Sequence, residues 1–295
     1  MIWFGLRLLQ IGGYWFGLAI SSLSSFYFFL TGRISRNASL AYLTRLYRTH
    51  PEAAGPPSLL KALKHHWHFG VAVMDRLWLW QDKLEQFEIT VVGRETVHAK
   101  RKNGAILLGA HMGSFDVMRA LSAARDVPVN VVMYRANAEK FNAVMKKMNP
   151  NANIRIFDLD GSDVGRIFEL KEALDRGEIV ALLADRIAPY GKQRTCSTMF
   201  LGEQASFPQN PWILAHTLGC PVFLVVGLRT GMRRYHINAE LLTDRVVLPR
   251  KTRAESIQTY IDLYAARLEQ LCVEHPYQWF NFFEFWKPRK EEGTK

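Results

Sequence analysis

The alternation of short apolar runs with helical stretches after residue 87 is the feature that most constrains the fold. Six runs rich in β-forming residues occur at residues 87–92, 105–110, 129–134, 153–157, 178–184 and 221–229. Helical patterns occur at residues 116–125, 137–148, 164–176 and 210–218. Strands that alternate with helices in this way build a mostly parallel sheet with helices on its faces. The sequence therefore predicts an α/β domain with a mostly parallel central sheet flanked by helices.

The segments on either side of this pattern complete the predicted domain. Residues 230–240 follow the last run closely, so we expect them to pair with it as a closing hairpin. An amphipathic helix is predicted over residues 252–274, and an aromatic tail follows it. Upstream, residues 53–58 contain Pro and Gly and are predicted to form a linker before a helix at residues 59–80. The sequence contains no internal repeat.

Composition excludes a disordered chain and a disulfide-stabilised one. Hydrophobic residues make up 48% of the 295 residues and charged residues only 22%, so there is ample material for a core. The cysteines, Cys196, Cys220 and Cys272, are far apart and form no C-x-x-C pair. Neither a disulfide framework nor a cysteine zinc site is expected, and we expect a reducing compartment.

The charge balance predicts an anionic partner. The chain carries 38 Lys and Arg against 27 Asp and Glu, a formal charge of +11. A nucleic acid, an acidic lipid surface and an acidic carrier protein all fit such a charge. The basic residues are scattered, and no nucleic-acid-binding motif is present, so we expect no nucleic-acid partner.

The N-terminal segment, residues 1–56, is predicted to be a helical membrane anchor for an α/β domain at residues 57–295. Residues 11–30 carry no charge, and as a helix they are long enough to cross a hydrocarbon layer of about 30 Å. Several Ser and Gly make the stretch only moderately apolar, so spanning the membrane and lying in its interface are both open. A buried core helix is a third alternative. Four arginines follow, with no acid before Glu52, which favours a cytoplasmic location for the rest of the chain.

A histidine cluster lies within the predicted helix at residues 59–80. His65 and His68 are one turn apart, but a zinc site needs a third and a fourth ligand, and none is apparent nearby. We therefore expect an interfacial or capping role, and no metal.

The segment after the second apolar run carries the candidate catalytic residues. His111 follows the predicted strand at its carboxyl end, and Asp116 lies in the first turn of the next helix. A carboxylate on one imidazole nitrogen fixes the tautomer and supports protonation of the other, so the pair predicts a general base. Ser114 as a hydrolase nucleophile is an alternative, although its surroundings lack the G-x-S-x-G pattern. A buried histidine beside a helix-terminal acid is the purely structural alternative.

The H-x-x-x-x-D box after a hydrophobic strand resembles the glycerolipid and lysophospholipid acyltransferase superfamily. The wider pattern resembles its bacterial lipid A biosynthesis (late) acyltransferase branch, over about residues 90 to 287. The further matching blocks are Tyr134-Arg135, GEIVALLADR, MFLGEQASFPQNPWILA, CPVFLVV and HPYQWFNFFEFW. This chain has Asp116 where the branch more often has Glu, and Phe283, Glu284 and Phe285 where it has basic residues. A lipid acceptor other than lipid A therefore stays open.

The resemblance implies a glycerolipid acyltransferase-like fold and transfer of a fatty acyl chain to a hydroxyl or amine of a lipid or glycolipid. The donor is an acyl thioester, on acyl carrier protein or on CoA, and no cofactor is needed. The implied partners are acyl carrier protein, the lipid acceptor and an anionic membrane surface at the cytoplasmic face of a bacterial inner membrane. The implied catalytic residues are His111 and Asp116. The implied substrate-binding residues are Gly113, Ser114, Arg135, Asp185 and Arg186.

The resemblance also assigns particular tasks within this pocket. Arg135 would bind a phosphate of the acceptor or of phosphopantetheine, and Asp185 would hold acceptor hydroxyls or pair with Arg135. Gly113 would let the thioester approach the backbone. Two other functions stay open: a thioesterase or lipase-type hydrolase, and a non-catalytic membrane-bound scaffold of the same fold. Acylated lipid as product, rather than free fatty acid, distinguishes a transferase from a hydrolase.

Overall fold

The computed structural model describes residues 2–81, 83–118, 127–133, 154–158, 164–187 and 194–287. The predicted helix at residues 137–148, most of the one at residues 116–125, and Arg135 lie outside the described residues. The statements below concern the described residues.

A seven-stranded sheet forms the centre of the fold. Its strands are β1 (Glu88–Val92), β2 (Ala105–Gly109), β3 (Val129–Met133), β4 (Ile154–Asp158), β5 (Ile179–Leu183), β8 (Val222–Gly231) and β9 (Arg234–Thr243). Their order is β1-β9-β8-β2-β5-β3-β4. Every neighbouring pair is parallel except β8 and β9, which form an antiparallel hairpin. The predicted mostly parallel sheet and its closing hairpin are confirmed.

Helices flank this sheet. They are α1 (Ile2–Thr31), α2 (Arg33–Thr49), α3 (Pro51–Ala54), α4 (Leu59–Leu79), α5 (Arg94–Lys100), α6 (Val164–Asp175), α7 (Asn210–Leu218) and α8 (Arg253–Glu274). The start of α4 follows from its cap, because the Ser58 hydroxyl accepts a hydrogen bond from the Lys61 amide. At Gly13 the backbone leaves helical geometry, with φ 71° and ψ −173°, so α1 is two helices joined at a kink.

Alternate residues of the central strands supply the core on the two faces of the sheet. Ile106 and Leu108 of β2 belong to one apolar cluster together with Leu268 of α8. Ala105 of the same strand belongs to a second cluster together with Trp78 of α4. This follows from the two-residue repeat of a strand. The second half of α4 and helix α8 therefore lie on opposite faces of the sheet.

The N-terminal helices pack on α4 and leave much apolar surface exposed. Close approach of α1 and α4 depends on Gly70, where a Cβ atom would lie 2.1 Å from the Ser25 hydroxyl oxygen. Within the described residues, no single helix is long and apolar enough to span a membrane. By length and composition alone, residues Gly12–Thr31 and Arg33–Thr49 pass that test as a pair, bent by 93° at their junction.

A separate two-stranded hairpin, β6 (Thr195–Phe200) and β7 (Glu203–Pro208), was not among the predicted strands. Leu201 and Gly202 form its turn, and both have positive φ, 51° and 75°. Two-residue hairpin turns require such angles, but Asn-Gly or Asp-Gly is their usual sequence signal. Leu-Gly gives no such signal, so this hairpin is not predictable from its turn residues.

Candidate active site

His111 and Asp185 come together because their strands are neighbours in the sheet. His111 follows β2 and Asp185 follows β5, each two residues beyond the last residue of its strand. The two strands are parallel, with Gly109 paired to Leu183. Carboxyl ends of parallel strands meet at one edge, which is where open α/β sheets form their sites.

The Asp185 carboxylate holds the histidine in a fixed orientation. Its Oδ1 lies 2.8 Å from Nδ1 of His111. Its Oδ2 accepts hydrogen bonds from the His111 backbone N–H at 3.0 Å and from the Trp279 indole N–H at 3.1 Å. The carboxylate side chain is fully buried, whereas 34% of the His111 side chain is exposed. An ionised carboxylate only accepts, so Nδ1 carries the proton, and Nε2 of the neutral ring is free of it.

Asp185 is ionised at neutral pH. Burial alone would raise the pKa of this carboxyl, but the neighbouring His111 and Arg186 and the hydrogen bonds from His111 lower the pKa to about 2. The negative charge lies next to the imidazole of His111. The site therefore contains a partly exposed imidazole with an ionised carboxylate on its buried side.

Asp116 lies elsewhere than the sequence suggests. Its Oδ2 accepts a hydrogen bond from Nε of Arg76 at 2.6 Å, and its Oδ1 accepts one from the Trp80 indole N–H at 2.6 Å. The sequence predicts that Asp116 orients His111, but the carboxylate within hydrogen-bond distance of the His111 Nδ1 is that of Asp185. Arg76 and Trp80 are in or next to α4, far upstream of the box, and no sequence motif marks them as its partners.

The backbone between the two box residues explains this arrangement. The Gly113 N–H donates to the Gln278 carbonyl at 2.9 Å, and the Ser114 N–H donates to the Gly227 carbonyl at 2.7 Å. The chain is thus held between the aromatic tail and β8, and helical backbone begins only at Phe115. Asp116 then meets α4 rather than the imidazole.

The same contacts give Gly113 and Ser114 a structural role. Gly113 has φ +61°, and a Cβ atom there would lie 2.1 Å from the Gly227 carbonyl oxygen. Glycine is needed at this position for close packing on β8, a reason that involves no thioester. The amides of both residues are hydrogen-bonded inside the protein, and Ser114 is 3% exposed. A substrate contact of these two residues stays a prediction.

The aromatic tail forms one wall of the site. The Phe280 N–H donates to the His111 carbonyl at 2.8 Å. The Gln278 side chain accepts from the Arg229 N–H at 2.8 Å and donates to the Arg229 carbonyl at 2.9 Å. The Trp279 indole also donates a hydrogen bond to Asp185. Together these contacts hold residues 111–116, called here the His111 segment, from the side of the tail. The clustered aromatic residues after α8 were the sequence signal for this role.

Arg186 packs beside the pair. Its guanidinium donates to the Phe280 carbonyl and lies 5.1 Å from the centre of the Phe283 ring. Burial lowers the pKa of Arg186, and Asp185 opposes that effect. Arg135, for which the resemblance implies phosphate binding, is outside the described residues.

The His65 and His68 cluster has a structural explanation. His65 lies inside α4, where its ring nitrogens lie 2.9 Å from the Ser39 hydroxyl and 2.9 Å from the Trp279 carbonyl. Burial lowers the pKa of His65 to about 3. His68 stacks on Tyr277. Among the residues described, no group of three or more His, Cys, Asp or Glu side chains is placed to hold a metal ion.

A strand-end histidine with a buried carboxylate behind it suits general acid–base chemistry. In the comparison with protein families, the model for bacterial lipid A biosynthesis acyltransferases matches residues 54–288. Since this match covers most of the chain, the protein belongs to that family and is a lipid acyltransferase. The resemblance in the sequence motifs is thereby confirmed. Comparison with curated proteins returned no match.

Replacing Gly113 with Ala should destabilise the fold by about 1–3 kcal/mol. The added Cβ would be strained by the positive φ and would also collide with the Gly227 carbonyl. Gly177→Ala is the matched control, because its φ is +80° but its Cβ would lie 3.6 Å from the nearest atom. Urea denaturation measures the free energy of unfolding of both variants and of the parent. Equal losses in the two variants would show that the close approach to β8 contributes nothing.

Asp185→Asn should remove a component of the acid sensitivity of the fold. The pKa of Asp185 falls from its ordinary 3.8 to about 2 on folding, so the ionised form stabilises the folded state. This contribution is present above a pH of about 4 and is lost as the pH falls towards 2. Thermal unfolding between these values should show a steeper loss of stability in the parent than in the variant. Parallel curves would contradict the assignment.

Proposed function

We propose that the protein transfers a fatty acyl chain from an acyl thioester on acyl carrier protein to a hydroxyl or amine of a membrane lipid or glycolipid. The observation that carries the proposal is the buried Asp185 carboxylate on Nδ1 of a partly exposed His111. This arrangement leaves Nε2 of the neutral ring as the proton acceptor. His111 is then the general base of the reaction.

The proposed reaction proceeds without a covalent enzyme intermediate. Nε2 of His111 accepts the proton of the acceptor group as that oxygen or nitrogen attacks the thioester carbonyl carbon. The tetrahedral intermediate collapses with cleavage of the carbon–sulfur bond, and the proton on Nε2 passes to the leaving thiolate. Asp185 stabilises the transient imidazolium. No proton is gained or lost overall by the enzyme.

Asp116, Arg186 and Arg135 have supporting roles in this proposal. Asp116 fixes the start of the helix that follows His111, through its bonds to Arg76 and Trp80. Arg186 and Arg135 are the cations proposed to bind phosphate on the acceptor or on phosphopantetheine, because a guanidinium matches phosphate oxygens. Arg186 is adjacent in sequence to the carboxylate that holds His111.

The choice of acyl carrier protein as donor rests on charge. Acyl carrier proteins are acidic, and this chain has a formal charge of +11. Electrostatic fields of opposite sign speed the encounter of two proteins, and dissolved salt screens those fields. Acyl-CoA is the other anionic donor, and the two differ in size. A carrier protein can contact a wide basic surface, whereas CoA cannot.

The proposed membrane contact is the outer face of α1 together with the start of α4. Exposed apolar side chains are concentrated there: Trp15 (72%), Leu23 (70%), Phe28 (62%), Leu59 (59%) and Leu60 (77%). Between the two helices lies an apolar groove of about 410 Å³ with Lys64 in its lining. Residues 1–51 contain no acidic side chain. An apolar face flanked by cations suits the interface of an anionic membrane, which we propose is the cytoplasmic face of a bacterial inner membrane.

His111→Ala should lower kcat by about 10²–10⁴. The assay combines purified enzyme, labelled long-chain acyl carrier protein and total bacterial lipid extract, with products resolved by mass. His98→Ala, at an exposed histidine of α5, is the matched control and should retain activity. A new acylated lipid made by the parent and not by His111→Ala supports the transferase. Free fatty acid alone would favour the hydrolase, and no His111-dependent product would favour the scaffold.

Leu23→Glu combined with Leu60→Glu should release the protein from vesicles of phosphatidylethanolamine and phosphatidylglycerol. Burying one leucine contributes about 1.5–3 kcal/mol, so the vesicle-bound fraction in a flotation assay should fall by at least tenfold. Leu263→Glu, at an exposed leucine of α8, places the same charge on another face and should leave binding unchanged. Equal binding by the double variant would exclude this face as the membrane contact.

A further inference from the structure

The carboxylate of Asp116 is held by two donors from one helix. Arg76 is in the last turn of α4, and Trp80 is the residue after its end. Each donates to a different oxygen of Asp116, both at 2.6 Å. The Arg76 guanidinium also lies 5.8 Å from the centre of the Trp80 ring, so the two donors support each other. We call this arrangement the α4 clamp.

The α4 clamp has the features of a precise orienting device. The Asp116 side chain is 3% exposed, and a carboxylate so placed needs both charge compensation and hydrogen bonds. Arg76 supplies the opposite charge, and Trp80 supplies a rigid neutral donor. Because each oxygen has its own directional donor, the carboxylate is fixed in rotation as well as in position.

The α4 clamp acts on the segment that carries the general base. His111 and Asp116 are five residues apart, and the backbone between them is held by the tail and by β8. The tail and Asp185 fix the His111 end of this segment. The α4 clamp fixes its other end, at the first turn of the following helix.

We propose that Arg76 and Trp80 are positioning residues of the acyltransferase site, acting through Asp116 to hold the His111 segment in its reactive place. The inference rests on the proposed role of His111. Arg76 is upstream of the H-x-x-x-x-D box by 35 residues and is contributed by a helix that packs on α1. A displacement of about 1 Å at a reacting group costs up to about 10²-fold in rate, so loss of the clamp should be visible in turnover.

Arg76→Gln should lower kcat about 10- to 100-fold and leave KM for the acyl donor within about twofold. Arg76→Lys should recover part of the loss because it restores the charge but not the planar donor. Trp80→Phe, which keeps the ring and removes the N–H, should lower kcat by several fold. Arg267→Gln is the matched control: Arg267 pairs with Glu240 in a partly exposed ion pair elsewhere on the protein, and its loss should leave kcat unchanged.

A double-mutant cycle tests whether Arg76 acts through Asp116. In an Asp116→Asn background, Arg76→Gln should have little further effect on kcat. Independent, multiplicative losses would overturn the inference. A rise in KM with unchanged kcat would also overturn it, because the half-exposed Arg76 would then be a substrate-binding residue.

His111→Ala, measured in the same assay, separates this inference from the proposed function. An inactive His111→Ala beside a fully active, folded Arg76→Gln leaves the proposed function standing and removes the α4 clamp from catalysis. Full activity in both variants refutes the general-base mechanism itself. Thermal unfolding of every variant identifies any loss that comes from misfolding, and Trp80→Phe keeps the test available if Arg76→Gln does not fold.

Discussion

The rest of the site depends on the buried negative charge of Asp185. A carboxylate removed from water must be compensated by neighbouring donors, and here these are the imidazole and backbone amide of His111 and the indole of Trp279. His111 and Trp279 come from different parts of the chain, and so does Asp185 itself. Strands β2 and β5 and the aromatic tail therefore have to meet at one point for the charge to be tolerated.

Two buried carboxylates occupy this region in different surroundings. Asp185 faces the imidazole of His111, whereas Asp116 faces the guanidinium of Arg76. The first environment suits proton transfer, and the second suits a fixed structural charge. Helix α4 connects both, since it donates to Asp116 and also contacts the Trp279 carbonyl through His65. The apolar N-terminal helix packs on that same helix.

Regular elements were predicted well from local sequence patterns. Strand β5 was expected at residues 178–184 and is Ile179–Leu183, and α7 has the bounds predicted for it. Periodic burial leaves a clear signature in such segments. The β6–β7 hairpin left none, because its turn is Leu201-Gly202 rather than a pair typical of turns. The tail was recognised as a motif, but its contacts with the His111 segment were not foreseen.

The sequence by itself determined the α/β class, the position of His111 at a strand end and, through its motifs, the family. These features are encoded locally, within a strand, a turn or a short box. Only the tertiary structure decided which carboxylate reaches His111. Asp185 is 74 residues away in the chain and arrives because β5 lies beside β2 in the sheet, whereas Asp116, five residues away, is directed to α4. Strand order depends on the packing of the whole domain, and the spacing of residues in a motif contains no information about it.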